Sequence, residues 1–348
     1  MAELIYKGVL TAKLERQVAL AAEQGRRVIA PLMGFPGVRM QGTTVKLAQQ
    51  NFREHYKAIN TLYERYLPDI IFPLMDLSVE ANALGFYTLF PVNDTPTVCK
   101  SEVALELIEK LQGVDIAADT RAMGYIETIR LLSMGTRGQH AICGYVSGPF
   151  TLAALMIGAE NAAMEALVDQ EHLHALCGFT EGVIAKYARH MVAAGADCIC
   201  ILEPSAVILG PDQFREFAAR YSKQVIDECR VTGISTVYHT CGNTMHLIDE
   251  MVNTGVSAIS LDAKEAGVDI KAVISRVSSS TVVMGNVSPT QVLLRGTPAD
   301  VRREVIELLD EVSGHSNFVL STGCDLPAET PDANIEAFFK TAHDYVSL

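Results

Sequence analysis

Short apolar runs rich in β-branched residues alternate along the chain with longer amphipathic stretches. The short runs are 28–33, 70–74, 141–146, 197–202, 235–239, 258–261, 281–285 and 317–321. Each is long enough for a strand and too short for a helix. Apolar residues follow one another in these runs, which implies burial on both faces, as in a parallel sheet. Between them the period changes to that of helices, over 44–66, 123–134, 171–194, 212–229, 244–254, 270–277, 298–312 and 332–345. Eight strand–helix units predict a (β/α)₈ TIM barrel, with an open doubly wound sheet as the alternative. An extra N-terminal helix over 10–23 is expected to cap the barrel floor. No linker, repeat or low-complexity stretch divides the chain, so residues 1–348 are expected to form a single domain.

Composition narrows the function classes. Of 348 residues, 49% are apolar and 20% charged, which fits a chain with a large core. The net charge of −13 and the lack of a basic patch argue against nucleic acid. No apolar run approaches the roughly 20 residues of a membrane helix. The start, Met1-Ala2-Glu3-Leu4, lacks a signal-peptide pattern, so a cytoplasmic protein is expected. In a reducing cytosol its eight cysteines read as core residues, metal ligands or catalytic thiols. So many cysteines also point to an anaerobic host.

Chemistry in such a barrel sits at the C-terminal strand ends. The fifth run closes with Tyr238-His239-Thr240-Cys241-Gly242-Asn243. With a side-chain period of two, His239 and Cys241 point to one face, about 6–7 Å apart along the strand. Cys324 lies just past the eighth run, after Gly323. Imidazole and thiolates from two strand ends favour zinc and leave its fourth position open, as a catalytic site requires. Core cysteines are common, however, and a lone His-x-Cys is a weak signal.

Other strand ends carry candidate polar groups. Strand parity is taken to place Glu203 in the lumen with Ile199 and Ile201, as a fourth ligand or general base. The alternative is a buried glutamate held by backbone donors. Cys198 and Cys200 then face the helices as core residues. Asp76, Asp262 and Asn286 follow other runs, where each fits a substrate-binding, metal-supporting or helix-capping role. Residues 147–151, Ser-Gly-Pro-Phe-Thr, make either an anion site at a helix N-terminus or a tight turn.

The segments 238–244 (Tyr-His-Thr-Cys-Gly-Asn-Thr) and 321–334 (Ser-Thr-Gly-Cys-Asp-Leu-Pro-Ala-Glu-Thr-Pro-Asp-Ala-Asn) resemble the uroporphyrinogen decarboxylase superfamily. They look most like its zinc-dependent corrinoid methyltransferase branch, the methylcobamide:coenzyme M methyltransferases. Segments 72–85, 146–153 and 284–289 support the resemblance, which spans nearly the whole chain. It implies a zinc ion held by His239, Cys241 and Cys324. It also implies a corrinoid-binding partner protein and a small-molecule methyl acceptor or donor. The acceptor would be a thiol; the donor would be a methoxylated or methylthio compound, with Phe35, Phe86 and Tyr238 lining its pocket. Segments 203–212 and 286–296 are candidate docking surfaces for the corrinoid protein. The alternative is a metal-free decarboxylase using Asp76, which fits poorly because Arg39 stands alone after the first run.

Overall fold

The computed structural model describes residues 14–136 and 140–345. The strands in chain order are β1 (Val28–Ile29), β2 (Ile70–Ile71), β3 (Thr88–Leu89), β4 (Thr97–Val98), β5 (Ala141–Ser147) and β6 (Cys198–Leu202). They continue with β7 (Ser235–Thr240), β8 (Ala258–Leu261), β9 (Val282–Val287) and β10 (Phe318–Thr322). β3 and β4 form a separate antiparallel pair. The other eight, at the positions of the eight apolar runs, make one sheet in the order β1-β10-β9-β8-β7-β6-β5-β2. Every pairing in it is parallel.

The two ends of this sheet meet at Asp69. Its N–H donates to the Ile29 carbonyl at 2.8 Å, and its carboxylate accepts the Ile29 N–H at 2.8 Å. Arg26 holds the same carboxylate at 2.9 Å through two nitrogens. The sheet thereby closes into the expected barrel. β1 and β2 are shorter than their apolar runs because side chains take over the backbone pairing. Leu32 N–H donates to Thr322 Oγ1 at 3.0 Å, and Leu74 N–H to His55 Nε2 at 2.9 Å.

Alternate residues from all eight strands fill the lumen, including Cys143, Tyr145, Cys198, Cys200, Leu202, Val237, Ala258, Val282, Met284 and Val319. Leu14, Val18 and Ala21 of the helix Leu14–Glu23 close its floor. That helix is the expected cap; positions 10–13 of the prediction lie outside the described residues. Ile199 and Ile201 pack instead in the outer cluster, between sheet and helices. The expected parity of β6 is therefore inverted: Cys198 and Cys200 line the lumen, and Glu203 belongs to the helix layer. Both faces of a doubly covered strand are apolar, so alternation alone does not say which one is inside.

Local breaks refine the helices. The stretch 44–66 divides at Asn51, which is extended (φ −133°, ψ 110°) and whose side chain caps Arg53 N–H at 3.0 Å. The result is two helices, Val45–Gln50 and Phe52–Tyr66. No single described helix is long and apolar enough to cross a membrane.

Candidate metal centre

β7 and β10 deliver three donors to one point at the barrel mouth. His239 Nε2 lies 3.2 Å from Cys241 Sγ, Cys241 Sγ lies 3.4 Å from Cys324 Sγ, and Cys324 Sγ lies 4.0 Å from His239 Nε2. A tetrahedral zinc with ordinary bond lengths would separate such atoms by about 3.5–3.8 Å. The donor set and its spacing therefore fit zinc. Among the described residues this is the one His/Cys/Asp/Glu cluster compact enough for an ion.

The surrounding residues fix these donors. Ser260 pairs with His239 across β7 and β8, and its hydroxyl meets His239 Nδ1 at 3.0 Å. That contact turns Nε2 toward the cysteines, as a metal-binding imidazole requires. Asp262 accepts Gly242 N–H and Ala263 N–H, each at 2.7 Å, and so holds the turn after Cys241. Asn286 Nδ2 donates to the Asp262 carbonyl at 2.9 Å. Asp262 and Asn286 thus order the loops around the donors; Asn286 also borders a cavity of about 650 Å³ outside the barrel. At Gly323 a Cβ would come within 2.4 Å of Ala263 N. Only glycine lets the chain pass close enough to β8 to bring Cys324 onto Cys241.

The electrostatics suit metal binding. The Cys241 thiol and His239 hold the Cys324 thiol well below its ordinary range, while proximity to Cys324 and burial push Cys241 up. The pair thus readily supplies a thiolate, the form that binds metals. Burial, then the neighbouring Cys324, raises Asp325 to about 7.

Several expected site residues lie elsewhere. The Glu203 carboxylate is fully buried behind β6, where it accepts Thr151 N–H and the Ser222 hydroxyl, the latter at 3.3 Å. Its carboxyl group occupies the 147–151 turn: a Cβ on Gly148 would lie 2.1 Å from its Oε2. Glu203 is therefore neither a zinc ligand nor a base in the mouth. Tyr238 also points outward, its hydroxyl 3.4 Å from Ser222 Oγ and its ring beside Phe214. Residues adjacent in a strand face opposite ways, so an inward His239 already excludes an inward Tyr238. Phe86 is buried in the outer cluster, and Phe35 is partly buried against that cluster. Asp76 is buried and engaged by Arg121, by Tyr125 Oη at 2.8 Å and by Ser78 Oγ at 2.7 Å. Ser260 and Asp325 went unrecognised in the sequence; Ser260 shares the strand parity of Asp262, and that was its only signal.

The uroporphyrinogen decarboxylase model matches residues 36–345. The chain belongs to the uroporphyrinogen decarboxylase family. It is 32% identical over 274 residues to the methylcobamide:CoM methyltransferase MtbA of Methanosarcina acetivorans, covering 78% of each chain. The uroporphyrinogen decarboxylase of Trichodesmium erythraeum is 26% identical over 322 residues, or 90% of this chain and 86% of that one. A solved methyltransferase structure from Methanosarcina mazei superposes with a TM-score of 0.82 at 23% identity, over 95% of this chain and 99% of the other. These relatives bear out the resemblance to the methyltransferase branch and the barrel fold.

Proposed function

We propose that this protein is a zinc-dependent methyltransferase that moves a methyl group between a corrinoid on a partner protein and a small thiol such as coenzyme M. The observation that carries the reading is the convergence of His239 Nε2, Cys241 Sγ and Cys324 Sγ at one point of the barrel mouth. Similarity to methylcobamide:CoM methyltransferases supports it. Zinc bound there would act as a Lewis acid that holds the substrate thiol as thiolate at neutral pH. Two thiolate ligands soften that acidity, which preserves the nucleophilicity of the bound sulfur. His239, oriented by Ser260, and the two cysteines leave one coordination position for substrate. The segments 203–212, after β6, and 286–296, from the end of β9 onward, would receive the corrinoid protein. The reading takes residues 1–348 as one domain and places it in the cytoplasm, in keeping with eight free cysteines.

The decarboxylase reading has less support. Arg39 donates to the Ala328 carbonyl at 2.8 Å and pairs with Asp332, so its charge is already engaged. Asp76 is likewise bound by Arg121. The test is zinc content and methyl transfer from methylcobalamin to 2-mercaptoethanesulfonate. The wild type is expected to hold about one zinc per chain and to methylate the thiol. Cys324→Ser is expected to lose most of both. Full activity in a zinc-free preparation would overturn the reading.

A further inference from the structure

Tyr145 lies on the lumen face of β5. Its Cα pairs with Cys200, which in turn pairs with Val237. Val237 precedes His239 by two residues on the same strand face, so Tyr145 and His239 share the lumen, two strands apart round the barrel. Its ring stacks on Phe72 at 5.4 Å, and apolar Leu202, Val237 and Met284 belong to the same lumen cluster. The residue is 5% exposed, yet its hydroxyl has no hydrogen-bond partner among the described residues. Asp325 Oδ2, on the loop that carries Cys324, is also buried without a partner. Burial raises the Tyr145 phenol well above its usual range, with Asp325, Cys200, Cys143 and Cys324 contributing. The phenol is therefore a neutral donor lying within the field of the Cys324 loop.

A buried hydroxyl left unpaired is expensive, on the order of 1–3 kcal/mol. Phenylalanine would fill the same space against Phe72 without that penalty. We infer that Tyr145 is a substrate-binding residue whose hydroxyl donates a hydrogen bond to the small thiol ligand at the His239–Cys241–Cys324 centre. This rests on the thiol reading proposed above. A donor to thiolate sulfur favours the charged form of the bound ligand and orients it in an otherwise apolar lumen. It forms no bond to the metal, so its loss should spare zinc and weaken the thiol.

Tyr145→Phe keeps the ring and its stack. The experiment is calorimetric titration of zinc-loaded wild type and variant with 2-mercaptoethanesulfonate, alongside zinc content and thermal midpoint. The expected result is equal zinc, an equal or higher midpoint, and thiol affinity about ten- to a hundredfold lower in the variant. In steady state KM for the thiol should rise more than kcat falls. Equal thiol affinity in both proteins would overturn the inference and leave the hydroxyl to an internal water. Loss of zinc or of folding in Tyr145→Phe would also overturn it, by making the residue structural. A wild type that binds zinc but no thiol would overturn the thiol reading itself, and this inference with it.

Discussion

Where β7 and β10 end, His239 Nε2, Cys241 Sγ and Cys324 Sγ face one another at 3.2–4.0 Å. Where β2, β5 and β6 end, the acids are engaged by fixed partners. Asp76 is bound by Arg121 and Tyr125. Glu80 accepts the Ser147 N–H at 2.8 Å and its hydroxyl at 3.0 Å. Glu203 accepts Thr151 N–H and Ser222. The two regions carry polar groups at similar depth, but only the first aims its donor atoms at a common point. A carboxylate at a strand end is thus no guide to chemistry in this barrel; the direction of its lone pairs decides. Buried acids with complete hydrogen-bond sets hold loops and helix ends in place.

Substitutions on the two sides should separate the roles. The largest effect on metal binding is expected from Cys324→Ser, which removes a zinc ligand. Ser260→Ala should be next: it frees the His239 ring, and metal affinity should fall about 10–100-fold, as for other residues that orient a ligand. Competition with a chelator measures this, and wild-type affinity in the variant would mean that Ser260 does not orient the His239 ring.

Glu203→Gln should leave zinc and thiol binding unchanged and alter only the pH dependence of stability. Burial raises Glu203 from 4.5 to about 7 in the folded state, with its hydrogen bonds opposing the shift. The folded protein then holds the proton more tightly than the unfolded chain. Glu203 therefore lowers stability as pH rises from about 4.5 to 7, by an amount on the order of 3 kcal/mol. Denaturant titrations across that range should show a shallower decline in Glu203→Gln. An unchanged slope would place the titration elsewhere, and a loss of zinc would return Glu203 to the metal site.

Much of this contrast was legible in the sequence, and the misread parts share one cause. His239 and Cys241 were readable because their i, i+2 spacing fixes a common face whatever the register. All eight barrel strands were readable because Gly, Pro and amphipathic stretches bound each apolar run. The orientation of β6 was not, because Ile199, Cys200 and Ile201 are all apolar and both faces are covered. It is decided by the pairing of Cys200 with Val237, a cross-strand fact. Ser260 and Tyr145 were missed for the same reason: each matters through a neighbouring strand. Glu203 and the Gly148–Thr151 turn each looked functional alone, and they satisfy one another in the fold.

The central claim is that His239, Cys241 and Cys324 hold zinc and present it to a thiol. X-ray absorption at the zinc edge, without and with 2-mercaptoethanesulfonate, tests it most directly. The account predicts two sulfur ligands and one imidazole nitrogen before addition, and three sulfur ligands after it. A zinc spectrum without sulfur, or one that does not change when the thiol is added, would contradict it.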